Sequence, residues 1–99
     1  MTSGNIRVAG KRLDPVDLDY FVTIAERGSL GVAAEALGVT QPGLSKCVQR
    51  LERVVGVPLL VRSTRGIALT GMGEQLLHRA RHLLAELDTA QRALRELAG

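Results

Sequence analysis

The chain has 99 residues, 45% of them apolar, a net charge of +3, one Tyr, one Phe and no Trp. That length suits one small domain, and that apolar share excludes a disordered chain; the core has to be aliphatic. No run approaches the roughly 18 apolar residues of a membrane span, Met1-Thr2-Ser3-Gly4-Asn5 has no apolar leader, and Cys47 is the only cysteine, so a cytoplasmic protein without internal disulfides is expected.

Residues 1–13 lack periodicity and read as a flexible tail. Asp14-Pro15-Val16-Asp17 has the form of a helix start: Asp14 caps, Pro15 gives up an amide that would be unpaired anyway, and Asp17 adds negative charge at the positive end. Leu18, Phe21, Val22 and Ala25 recur at helical spacing up to Gly28. Ser29 then caps a shorter helix over 30–37, closed by Gly38. Thr40 caps a third, with Pro42 in its first turn and Val39 placed to pack on Leu44. Its apolar stripe is Leu44, Val48, Leu51 and Val55, and its other side presents Gln41, Ser45, Lys46, Gln49, Arg50 and Arg53. Two short helices around a Gly-containing turn form a helix-turn-helix. The second of them has the width and the donors to enter a DNA major groove.

After Pro58 the period shortens. Leu59-Leu60-Val61-Arg62 and Ile67-Ala68-Leu69 are strand-like runs about Ser63-Thr64-Arg65-Gly66, a hairpin with a basic tip, or wing. Thr70 caps a long last helix. There Leu76, Ala80, Leu83, Leu87, Ala90, Leu94 and Leu97 follow alternating steps of four and three, a heptad seam that points to a partner helix.

Charge is segregated along the chain. Residues 13–39 carry Asp14, Asp17, Asp19, Glu26 and Glu35 against Arg27, whereas residues 40–70 carry Lys46, Arg50, Arg53, Arg62 and Arg65 against Glu52. A basic block behind an acidic one suggests a face for a polyanion, the alternative being the solvated side of an amphipathic helix; the wing arginines in register with Lys46, Arg50 and Arg53 favour the first.

Several short motifs stand in order: Leu18-Asp19-Tyr20-Phe21, Gly28-Ser29-Leu30, Ala33-Ala34-Glu35-Ala36-Leu37 and Thr40-Gln41-Pro42-Gly43-Leu44-Ser45-Lys46. Leu51-Glu52, Gly56-Val57-Pro58-Leu59-Leu60, Arg62, Arg65-Gly66 and Leu69-Thr70 with Gly73 continue the series. Together they resemble the N-terminal domain of LysR-type bacterial transcriptional regulators over about residues 16–98. The resemblance implies a mainly α winged helix-turn-helix over 14–70 and a linker helix over 71–98 that pairs antiparallel in a homodimer. It also implies a cytoplasmic, nucleoid-associated regulator that binds double-stranded DNA at an inverted-repeat operator. A tetramer is implied where the family's effector-binding domain is present; these 99 residues contain no counterpart of that domain.

Carried over residue by residue, the resemblance implies base contacts from Gln41, Pro42, Ser45 and Lys46 and backbone contacts from Ser29, Thr40, Arg50 and Arg62. It sets Thr64 and Arg65 at the wing and minor groove, and gives dimerisation to Leu76, Ala80, Leu83, Leu87, Ala90, Leu94 and Leu97. Two glycines depart from the pattern. Gly43 replaces the usual Ala and weakens its helix start by about 0.5–1 kcal/mol, and Gly31 weakens the second helix.

No cofactor and no metal are expected. Cys47 reads as a small packed hydrophobe, and His78 and His82, one turn apart, as a solvated pair. Gly71-Met72-Gly73 has Leu76 where a dinucleotide loop needs its third glycine. Without a nucleophile–base pair, an enzyme is not expected. The competing reading is a winged-helix adaptor with a coiled-coil arm that binds protein. Single-stranded RNA binding lacks support, since Tyr20 and Phe21 lie in or beside an apolar stripe rather than on a stacking platform.

Overall fold

A computed structural model describes residues 12–99. The order is α1 (Pro15–Arg27), α2 (Leu30–Leu37), α3 (Gln41–Val55), β1 (Leu60–Ser63), β2 (Gly66–Leu69) and α4 (Gly71–Ala98). This is the expected winged helix-turn-helix followed by one long helix. Most of the expected tail lies outside the described residues; Leu13, which does not, packs half-buried on the core.

The helix starts follow their caps. Asp14 Oδ1 accepts from the Val16 amide at 2.7 Å, Ser29 Oγ from Val32 at 3.2 Å, Thr40 Oγ1 from Gly43 at 3.1 Å, and Thr70 Oγ1 from Gly73 at 3.0 Å. Each satisfies an amide that the first turn cannot pair internally.

Two clusters make the core. Leu18, Phe21, Cys47, Leu51, Leu59, Leu76 and Ala80 join α1, α3, the segment before the wing and the first turns of α4. Ile24, Leu30, Ala33, Ala34, Leu44 and Val48 join the helix-turn-helix itself, with Val39 packed against them as the staple required. The α1 stripe runs through Leu18, Phe21 and Ile24, while Val22 and Ala25 are only half-buried. The buried face is therefore rotated slightly from the expected one, because a step of three from Phe21 to Ile24 serves α2 better than a step of four to Ala25.

The wing is an antiparallel pair with Leu60 opposite Leu69, Arg62 opposite Ile67, and Ser63 opposite Gly66. Alternation puts Leu60, Arg62, Ile67 and Leu69 on the face turned toward the helices and Val61 and Ala68 on the other. Two glycines allow the wing to dock. The Ile67 amide donates to the Gly28 carbonyl at 3.3 Å, and a Cβ on Gly66, at φ 114°, would stand 2.8 Å from that same oxygen. At the base of the wing the Thr70 amide donates to the Leu59 carbonyl at 3.0 Å. A Cβ on Gly73 would collide with that carbonyl oxygen, so α4 reaches the hairpin this closely only through glycine.

Candidate nucleic-acid interface

The N-termini of α2 and α3 and the wing lie together. Ser29, Gly31, Gln41, Arg62, Ser63 and Gly66 line one shallow cleft. Neither helix has an acidic residue in its first turn, so the partial positive charge of each N-terminus is uncompensated. The Ser29 and Thr40 hydroxyls accept their cap bonds and keep a proton for an outside acceptor.

Gln41, Pro42, Lys46, Gln49 and Arg53 are exposed on α3. Lys46 lies one turn beyond Pro42, and Ser45 one turn beyond Gln41, so the four expected base-reading residues share the outer face of the first two turns. Ser45 is half-buried because Arg62 covers it: Arg62 Nη2 donates to Ser45 Oγ at 2.8 Å. That bond ties β1 of the wing to α3. Thr64 and Arg65 form the exposed two-residue tip, with the Arg65 amide donating to Ser63 Oγ at 3.1 Å.

Arg50 differs from the expectation. Its Nε donates to Asp17 Oδ2 at 3.0 Å and its Nη2 to Asp17 Oδ1 at 2.9 Å, a two-pronged pair joining α3 to the first turn of α1. The Asp17 side chain is only 8% exposed against 50% for Arg50. The hydrogen bond to Asp17, with the carboxylate's charge, raises the guanidinium further above its ordinary value. A buried carboxylate therefore already holds Arg50 by Nε and Nη2, while half of its side chain stays exposed. Asp17 is the residue that sequence reasoning missed. Its place in a helix's first turn explained its charge well enough to hide its second partner, 33 residues away.

Cys47 packs beneath this pair, 1% exposed, its thiol donating weakly to the Asp17 carbonyl at 3.6 Å. Burial above all, then the nearby Asp17 charge, pushes the thiol from 9.0 up to about 12. A thiol held neutral this way packs as a hydrophobe and is a poor nucleophile.

The heptad seam is divided. Leu76 is 7% exposed and Ala80 fully buried, both inside the chain's own core. They are corrected from partner contacts to anchors of α4, because the same spacing serves an inner core and an outer seam. Leu83, Leu87, Ala90, Leu94 and Leu97 remain exposed, Leu97 by 83%. Among the described residues no helix is long and apolar enough to cross a membrane, and no three metal-ligating side chains converge.

The family pattern described as "Bacterial regulatory helix-turn-helix protein, lysR family" matches residues 15–74. The chain belongs to the LysR family. The transcriptional regulator PtxR of Pseudomonas aeruginosa is 42% identical over 92 residues, covering 90% of this chain and 30% of that protein. BudR of Raoultella terrigena is 49% identical over 73 residues, covering 74% and 25%. The chain thus spans less than a third of the length of either relative. Among solved structures, the CbnR DNA-binding domain in complex with DNA superimposes with a TM-score of 0.83 at 38% identity, over 87% of this chain and 99% of that one. The BenM DNA-binding domain on catB site 1 DNA gives 0.83 at 32% identity, over 87% and 97%. The LysR-family fold accordingly extends from α1 through the wing and well into α4.

Proposed function

We propose that this LysR-family chain binds double-stranded DNA sequence-specifically as a transcriptional regulator, with the start of α3 in the major groove and the wing beside the minor groove. The observation that carries the reading is convergence: two acid-free helix N-termini, Lys46 and the basic wing meet on one side, with Arg62 bridging wing and reading helix. Gln41, Pro42, Ser45 and Lys46 then face base edges. Ser29, Thr40, Arg62 and Arg65 grip the backbone or enter the minor groove, with Thr64 beside Arg65 at the wing tip. Relatives solved on DNA favour this over an adaptor that binds only protein.

The working unit is a homodimer joined through Leu83, Leu87, Ala90, Leu94 and Leu97, which α4 leaves uncovered. Beside Leu87, a groove lined by Pro15, Val16 and Leu84 continues the apolar surface toward α1. A two-fold dimer reads an inverted repeat. A tetramer would need the longer protein that the relatives represent. Such a regulator works in the cytoplasm, at the nucleoid.

Titration of labelled duplexes selected from a random pool, over about 50–200 mM salt, tests the reading. Log affinity falls against log salt with a slope of several units if the convergent face grips phosphates. A flat plot would return the adaptor to first place.

A further inference from the structure

We propose that His78 and His82 form a two-imidazole site on α4 for a divalent transition-metal ion of the copper or nickel class. Spacing alone leaves this pair as two solvated side chains; the ring geometry gives more. Their centroids lie 4.6 Å apart. An imidazole nitrogen binds such an ion at about 2.0–2.1 Å, which puts each ring centroid about 3.2 Å from the metal. Two rings bound side by side at about 90° therefore have centroids about 4.5 Å apart, whereas a tetrahedral angle spreads them to about 5.2 Å. The observed separation brings the two rings within reach of the right-angled arrangement of tetragonal copper(II) or nickel(II), and side-chain rotation turns one nitrogen of each toward a shared ion.

The surroundings favour occupancy. Both residues are exposed, and among the described residues neither ring has a hydrogen-bond or ion-pair partner to give up. Leu76 and Ala80, buried on the same turns, hold this stretch of α4 against the core, so the chelating geometry needs only side-chain rotation. Glu74 and Glu86 stand one turn to either side on the same face, against Arg79 and Arg81. Arg81 is itself paired with Glu26 at 3.2 Å, so the local field does not repel a cation strongly. Water completes the coordination. The ion would bridge two turns of α4 where its core-anchored start becomes the exposed arm.

Calorimetric titration of the whole chain with nickel(II) chloride tests the site, alongside H78Q, H82Q and the double variant. The substituted positions are exposed on a helix, so circular dichroism should show all four folded alike. The expected result is one ion per chain, bound at least ten-fold more tightly by the wild type than by either single variant. One equivalent of copper(II) should show two equatorial imidazole nitrogens by electron paramagnetic resonance in the wild type and at most one in either single variant. Wild-type affinity in either single variant, or one nitrogen in the wild type, would overturn the proposal.

Discussion

Replacing Arg50 by Ala separates two roles that a basic residue on a reading helix can have. In this chain the guanidinium covers a carboxylate, and its removal leaves Asp17, 8% exposed, with neither prong of its pair. Stripping one partner from a fully buried ion pair costs about 3–5 kcal/mol. Arg50 is half exposed, so water follows it into the gap and the loss falls to about 1.5–3 kcal/mol. For a domain of this size that lowers the melting temperature by roughly 10 °C. Asp17→Ala leaves a hydrated arginine instead and should cost less, while the double variant should be no worse than Arg50→Ala. Melting at fixed protein concentration, combined with DNA affinity against salt at a temperature where all variants stay folded, decides the matter. The clamp reading expects a large loss of stability and an unchanged salt slope. A melting temperature within a degree or two of wild type, with the slope reduced by about one unit, would show that Arg50 leaves Asp17 for a phosphate and would refute the reasoning.

Leu87→Glu places a charge in the uncovered seam and should yield folded monomers by sedimentation, whereas Leu76→Glu, inside the core, should fail to fold; an intact Leu87→Glu dimer would move the interface elsewhere. Lys46→Ala should cost about 1–3 kcal/mol on the preferred duplex and blur one base pair, and an equal loss on every single-base variant of that duplex would make Lys46 a phosphate contact only. Because the folded chain keeps its Cys47 thiol protonated up to about pH 12 while the unfolded chain releases that proton near 9.0, stability falls as pH rises between the two. The slope approaches about 1.4 kcal/mol per pH unit; Cys47→Ala should flatten it, and parallel curves for the two proteins would contradict the burial argument.

Local structure was legible in the sequence because its causes are local. Asp14, Ser29, Thr40 and Thr70 each cap the helix that follows, and a cap needs only the next three residues. The wing was legible as a change of period, although Leu59 precedes β1 and is buried at its base. Contacts between distant segments were not legible. No spacing announces that Asp17 meets Arg50 or that Arg62 meets Ser45. The division of the α4 seam was hidden for another reason: Leu and Ala at heptad positions look alike whether they face a partner or the domain itself, and only the packing of Leu18, Phe21 and Leu59 decides that Leu76 and Ala80 turn inward.

α4 runs unbroken from Gly71 to Ala98, 28 residues or about 42 Å. Its first turns belong to the domain's core and its remainder to the proposed pairing surface, so the helix acts as a strut with one end cast into the reading head. A strut does not stretch. Two such heads joined along their arms present their recognition helices at one separation and one angle, and an operator with a different spacing has to be bent or twisted to meet them. A torque applied to the arm would likewise turn the heads as rigid bodies, because no hinge lies between Ala80 and the seam to absorb it. In the proposed dimer the compliant member of the complex would be the DNA.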